Sequence, residues 1–404
     1  IGVDYTDDEI LTSLVEIGAA VEHTQDGLLV SPPSWRPDLT DEATLAEEIA
    51  RIVGYDRIPA VLPTAPPGRG LTRAQRLRRS AAQQLAAGGS TEVLAYPFVS
   101  RKSNDIFGSP VGSTPAMKLA NPLDGEVPWL RTSLTPGLIE VARRNLSRGL
   151  TDLALFEIGA VVRPESGRSY GSGPLPAGNA RPSPAVLAEL NDGIPAQPRH
   201  AGGVYLGQVV AKQPGQPAVP ASLADALTAV RQLASALAVT IDIEQGRHQA
   251  LHPGRTAQLR VAGQIVGYAG ELLPTLAAEL DLPRVVAVWE VDLDALIQLA
   301  PTEVTPSAIA TLPAATQDLS LVVPLDAPAG DVLAAVRSGA GPLLEDARLV
   351  DDYRGPGLPD AAKSLTLALR FRAADRTLTA QEATQAKLAG AAVAAERFGA
   401  TIRE

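Results

Sequence analysis

The chain has 404 residues, 35 of them Lys or Arg and 45 Asp or Glu, for a formal charge of −10. That length implies about two to four domains, and 45% hydrophobic with 20% charged residues fits folded domains and excludes wholesale disorder. With no cysteine, disulfide scaffolds, thiolate zinc sites, iron–sulfur clusters and cysteine nucleophiles are excluded as well.

The first residues, IGVDYTDDEI, carry neither the basic nor the apolar region of a signal peptide, and no apolar run approaches the ~20 residues of a transmembrane helix. A cytoplasmic protein with no membrane partner is the expectation. The start at Ile1 and the lone methionine, Met117, lead to a second expectation, the C-terminal portion of a longer polypeptide. Residues 1–66 form an acidic module with 13 acidic and 3 basic side chains. Thr6 and Glu9 have capping-box spacing, and Ile10, Leu11, Leu14, Val15 and Ile17 recur as a helix requires before Gly18 stops it. A second helix is predicted over 41–53, with Leu45, Ile49, Ile52 and Val53 on one face. Between the two, GLLVSPPSW reads as a short strand.

A middle module is predicted over 67–300. It opens on a basic helix, TRAQRLRRSAAQQLAAGG, followed by a strand around 91–99 and a helix over 135–146. The strand DLALFEIGAVV comes next. Residues 163–202, rich in Gly, Pro, Ser and Ala, read as a flexible insertion, and VVAVWEVDL is a strand near the module's end. Residues 301–313 are a linker. The last module, 314–404, reads as strand 318–323, helix 330–337, strands 347–353 and 364–372, helix 379–398 and strand 401–403. That order is β-α-β-β-α-β, a ferredoxin-like split, and the whole is an α+β multidomain chain.

The remaining 32 acids and 32 bases beyond residue 66 cancel, so the overall charge describes one module and does not exclude nucleic acid. In that acidic module, Asp38, Asp41, Glu42, Glu47 and Glu48 offer oxygen ligands to a hard cation such as Mg²⁺. The same residues also fit helix capping by Asp41 and Glu42 and an i,i+4 pair between Glu47 and Arg51. His252, in LHPGR beside Arg255, is either a turn histidine or a catalytic one. Arg131, Arg143, Arg144 and Arg148 suit phosphate or an acidic partner, or else a solvated helix face. In SLTLALRFR, Leu365, Leu367, Leu369 and Phe371 alternate with Thr366, Ala368, Arg370 and Arg372. Helices on the leucine face leave the arginines on an open sheet, one way to hold single-stranded RNA. Arg354, Lys363, Arg370, Arg372 and Arg376 are the candidate RNA contacts.

The run SWRPDLTDEATLAEEIARIVGYDRIP resembles the metal-binding domain of the bacterial phenylalanine–tRNA ligase β-subunit family. NPLDGEVPWLRTSLTPGL, LFEIG, LHPGRTAQL, GYAGELLP and WEVDL resemble that family's catalytic-like module. TQDLSLVV, LVDDYRGPGL, KSLTLALRFR and RTLTAQE resemble its ferredoxin-fold anticodon-binding domain. The resemblance implies an inactive, class II synthetase-like antiparallel-sheet module between a small helical/β metal-binding domain and the ferredoxin-like one. It implies an (αβ)₂ heterotetramer in which the α subunit joins phenylalanine to its tRNA with ATP, and no DNA partner. It assigns Mg²⁺ to four acidic positions, of which Asp38, Glu47 and Glu48 match while Thr44 stands where the family has Asp. Gln317 stands where the family often has Arg, and no upstream tRNA-binding or editing domain has a counterpart. Two other readings are a non-catalytic RNA-binding scaffold built from the same modules, and a metal-dependent enzyme using the acidic cluster with His252.

Overall fold

In the computed structural model, which describes every residue except 69, 172, 174, 179, 307, 308 and 404, the chain divides into two units, Ile1–Pro301 and Thr302–Glu404. The first unit opens on the helix Asp7–Glu16, and its cap is the predicted box: the Glu9 amide donates to the Thr6 hydroxyl at 3.3 Å, and the Thr6 amide to the Glu9 carboxylate at 2.9 Å. A hairpin of Ala20–Thr24 and Gly27–Ser31 follows, then the helix Glu42–Val53. Only the second of those strands is legible in the sequence. The first, AVEHT, is exposed at four of five positions, so no apolar alternation marks it.

The helix Arg73–Ala87 starts on a second capping box, Thr72 with Gln75. Beyond it lies a seven-stranded sheet in the order Asp242–Gln245, Leu251–Val261, Gln264–Leu272, Val286–Asp292, Arg199–Leu206, Leu153–Ala160 and Thr91–Glu92. All neighbours are antiparallel except the last pair, which is parallel. Both faces are covered. Phe156, Leu259, Ala269 and Trp289 pack under the helices Arg73–Ala87, Leu223–Ala236 and Leu293–Leu299. Leu155, Val204, Leu272 and Val288 pack against Leu138, Ile139 and Ala142 of the helix Thr135–Leu146. Adjacent residues such as Val288 and Trp289 enter opposite layers, and that is why VAVW is apolar throughout.

Two expectations need correction. The strand expected over 91–99 is only Thr91–Glu92 and Phe98–Val99. The insertion expected over 163–202 contains the helix Pro184–Asp192 and the start of the interior strand Arg199–Leu206. The glycines of RHAGGVYL suggest a loop, but they clear space for an indole. A Cβ on Gly203 would stand 2.4 Å from Trp289 Nε1 and 2.9 Å from the Leu155 carbonyl oxygen.

In the second unit the strands Ala315–Pro324, Leu344–Tyr353, Ala362–Phe371 and Thr401–Ile402 form an antiparallel sheet, with the first strand between the third and the fourth and the second at one edge. With the helices Ala329–Ala340 and Ala380–Phe398 this is the predicted ferredoxin-like order. Leu319, Leu321, Val323, Leu365, Leu367, Leu369 and Phe371 meet Val332, Val336, Ala391 and Ala394 in one core. The two helices cross closely at Gly390, where a Cβ would come within 2.8 Å of the Val336 carbonyl oxygen.

Candidate functional site

The acidic module gathers its carboxylates around arginine. Asp41 is the N-cap of Glu42–Val53, and its Oδ1 accepts from the Thr44 amide and hydroxyl, both at 2.9 Å. The Arg36 guanidinium donates to Asp38 Oδ2 and to Glu48 Oε1, each at 2.7 Å, and Arg51 donates to Glu48 Oε2 at 2.7 Å. Hydrogen bonds from Arg36 and Arg51 hold the Glu48 carboxyl at about 2, and the bond from Arg36 lowers Asp38. Glu47 points elsewhere, exposed and taking the Tyr55 hydroxyl. The i,i+4 partner expected for Glu47 pairs instead with Glu48. Asp38, Glu47 and Glu48 therefore make no common ligand set in this arrangement, and among the described residues no group of three or more His, Cys, Asp or Glu side chains suits a metal ion. The donor set does not fit Mg²⁺: a guanidinium stands where Asp38 and Glu48 converge.

The middle module ties its motifs together through buried ion pairs. Arg131 of WLRTSL is 4% exposed and donates to Glu157 of LFEIG at 2.8 Å and to the Ala160 carbonyl at 3.0 Å. Burial raises the Glu157 carboxyl against the pull of Arg131. Glu290 of WEVDL caps the helix Thr135–Leu146 from the neighbouring strand. Its Oε2 accepts from the Ser133 hydroxyl, the Leu134 amide at 3.0 Å, the Thr135 hydroxyl at 3.0 Å and the Thr135 amide at 3.3 Å. His200 Nδ1 lies 2.7 Å from the other oxygen. Burial alone would raise the Glu290 carboxyl, but the His200 and Ser133 bonds and the positive field of Arg163 hold it at about 2. An ionised carboxylate only accepts, so Nδ1 carries the proton. Glu271 of GYAGELLP takes Arg255 of LHPGR and the Leu223 amide at 3.3 Å. His252 lies in the strand Leu251–Val261, at the irregularity between Leu251 and Thr256 rather than in the expected turn, and its Nδ1 accepts from the Gly254 amide at 3.1 Å. Of the other arginines in that stretch, Arg143 pairs with Glu140 and reaches Asp281 at 3.6 Å.

The exposed side of the C-terminal sheet is mixed in charge, which corrects the expectation of a basic face. Arg370 and Arg372 share Glu345, at 2.6 and 2.9 Å. Arg354 pairs with Asp352 at 2.9 Å, and Arg376 with Glu382 and Asp375. Lys363 is 4% exposed and sits opposite Val323, in step with the core residues Leu365 and Leu367. Gln317 faces the helix Ala380–Phe398, donating to the Thr384 hydroxyl at 2.9 Å, so that position belongs to the packed side. Two cations escaped the sequence reading. Arg348 is exposed and pairs in register with Ala368, and the Arg403 guanidinium lies 5.3 Å from the Tyr353 ring centroid. The bulges at Leu344/Asp346 and Leu349/Asp351 break the alternation that would have pointed to Arg348.

Three family models match the chain in succession: the tRNA synthetase B5 domain over residues 1–55, the phenylalanyl tRNA synthetase beta chain CLM domain over 58–293, and the ferredoxin-fold anticodon binding domain over 310–403. The chain belongs to the phenylalanyl-tRNA synthetase beta chain family. It is 65% identical over its whole length to 48% of a phenylalanine–tRNA ligase beta subunit from Leifsonia xyli subsp. xyli. Beta subunits from Thermobifida fusca and Streptomyces avermitilis are 44% and 45% identical, again over all of this chain and 49% of theirs. The chain thus spans about half the length of these relatives. A solved pyrrolysyl tRNA synthetase from Desulfitobacterium hafniense aligns at a TM-score of 0.37 with 12% identity, covering 73% of this chain and 89% of that one, a likeness too loose to speak to the fold. No described helix is long and apolar enough to cross a membrane.

Proposed function

We propose that this chain works as part of a phenylalanine–tRNA ligase β subunit, scaffolding a catalytic α subunit in an (αβ)₂ assembly and contacting the phenylalanine tRNA. In that assembly ATP and Mg²⁺ serve the α subunit's chemistry in the cytoplasm, and the seven-stranded sheet is a class II-like module that supports without reacting. One observation carries the reading: Glu157, Glu271 and Glu290, three carboxylates of the middle module's family motifs, are spent on holding those motifs to one another. What the module turns outward suits a partner. After Thr91–Glu92 the chain presents Leu94, Tyr96 and Phe98 in alternation, 86%, 83% and 40% exposed, an apolar row suited to an α-subunit surface.

On the C-terminal sheet the proposed RNA contacts are Arg348 and Arg403 with the Tyr353 ring, and Arg370 as a paired neighbour. Co-expression with the α subunit tests the reading: a stable complex that charges the tRNA is expected, and failure to associate would overturn it. Replacing Arg348 and Arg403 with Ala should weaken tRNA binding and lower its salt slope by about 1 per lost phosphate contact. Arg370→Ala should do less, because Glu345 already holds that guanidinium. An unchanged slope in the double variant would remove the sheet from the RNA interface.

A further inference from the structure

The helix Thr135–Leu146, the turn after Phe107 and the strands Gln264–Leu272 and Val286–Asp292 leave a pocket of about 280 Å³ between them. Phe107, Leu251, Tyr268 and Val288 supply apolar walls, with Arg163, Glu290 and Asp292 as the charged groups. The volume lies near the lower end of small-ligand pockets, and the pattern of apolar wall with few polar groups is theirs. The pocket is preformed. Its floor is interior sheet, and the Arg163 backbone is held by a bridge to Ala196.

The charged groups differ in what they have left to offer, and Asp292 is engaged as the cap of the helix Leu293–Leu299, its Oδ1 accepting from the Ala295 amide at 2.8 Å. Glu290 already accepts from two hydroxyls, two amides and the His200 ring, which fills the roughly four lone-pair sites of a carboxylate. Arg163 is half-buried and makes one side-chain hydrogen bond among the described residues, from Nη1 to the Gly108 carbonyl at 2.9 Å. Roughly four of its five N–H donors remain. His248, on the pocket wall, stacks edge-on to Tyr268 at 5.6 Å between ring centroids. Burial lowers its pKa to about 4, so it is neutral at pH 7. Its Nδ1 accepts from the Ala250 amide at 3.2 Å, and the ring proton is therefore on Nε2. The largest unspent capacity in the pocket is the donor capacity of Arg163, beside aromatic and branched walls.

We infer that this pocket is a binding site for a small monocarboxylate with a flat apolar body, its carboxylate on the Arg163 guanidinium and its body between Phe107, Tyr268 and Val288. A guanidinium and a carboxylate match as planar, two-pronged partners. A cationic ligand would have to compete with five donors for Glu290. Every residue of the site belongs to the middle module, and neither tRNA contact nor an α subunit is needed to fill it.

Benzoate is the probe, with benzylamine and benzamide as the cationic and neutral counterparts. Saturation-transfer NMR on the 404-residue chain should give a benzoate Kd on the order of 1 mM, with benzamide weaker and benzylamine not detectably bound. Arg163→Ala should raise the benzoate Kd at least about tenfold, and Arg163→Lys should restore part of it. Ile265→Trp, at the pocket mouth where Ile265 is 44% exposed, should block entry while leaving the melting temperature in place. Should Arg163→Ala unfold the chain, Ile265→Trp and the ligand series decide. Benzylamine binding as tightly as benzoate, undiminished benzoate binding in either Arg163→Ala or Ile265→Trp, or no benzoate signal up to about 20 mM would overturn the inference.

Discussion

Replacing Glu290 tests how far one side chain holds the middle module together. Glu290→Ala would leave the Leu134 and Thr135 amides, two hydroxyls and the His200 ring proton without their acceptor. Breaking a buried hydrogen-bonded charge network costs about 3–5 kcal/mol, and five orphaned donors put this one at the upper end. Glu290→Gln is different, because its amide oxygen can take the Oε2 position and keep the helix cap. What it loses is charge. The Glu290 carboxyl sits at about 2 in the folded chain against about 4.3 unfolded, and the difference is worth about 3 kcal/mol at pH 7. The expected cost is therefore about 4–5 kcal/mol for Ala and about 2–3 for Gln. Denaturant titration followed by tryptophan emission is the assay. Trp35, Trp129 and Trp289 all lie in the first unit, and Trp289 is 1% exposed, so the signal reports that unit alone and avoids treating two units as one transition. The sign with pH is set by the depressed value: the stabilisation is whole above pH ~4.3 and is lost as pH falls toward ~2, so the gap between wild type and Glu290→Gln should close across that window. A cost below about 1 kcal/mol for Ala, or equal costs for Ala and Gln, would refute the reasoning.

Other substitutions probe the rest of the molecule. His248, lowered to about 4 by burial, lets the unfolded chain take up its proton first, so stability should fall between pH ~6.5 and ~4 by about 2–3 kcal/mol; His248→Gln should flatten that fall, and an unchanged profile would count against burial as its cause. Gly203→Ala places a Cβ against Trp289 and should cost about 1–3 kcal/mol with a shift in tryptophan emission; a neutral effect would mean the indole has room to move. Mg²⁺ at about 10 mM should leave the melting temperature within ~1 °C, because Arg36 already joins Asp38 and Glu48. A rise abolished by Asp38→Ala would restore the metal site. Thr379→Ala removes the hydroxyl that accepts from the Glu382 amide at 3.3 Å and should cost about 1 kcal/mol in the C-terminal unit, read by circular dichroism; no loss would mean that cap is replaced by water.

Local chemistry was legible wherever neighbours in sequence are also neighbours in space. Thr6 with Glu9 and Thr379 with Glu382 cap their helices as spacing predicts, since a capping box closes within a single turn. The order of the C-terminal unit followed from the alternation of SLTLALRFR, because a sheet covered on one side repeats every two residues. The leucine face was read correctly. The charge of the other face was not, because Glu345 and Asp346 come from a strand whose bulges displace the register.

The sequence by itself determined the acidic first module, the capped helices, the final ferredoxin-like unit and the family motifs. Tertiary structure alone decided what those charged residues do. Arg131 and Glu157 are 26 residues apart, and Ser133 and Glu290 are 157 apart. No pattern of spacing links them, and only folding brings them within hydrogen-bond reach. In the same way Asp38 and Glu48 are an acidic pair in sequence and a pair shared by Arg36 in space. The physical reason is common to all of them. A buried charge is stable only where the fold supplies its partner, and the partner comes from whichever strand or helix packs alongside.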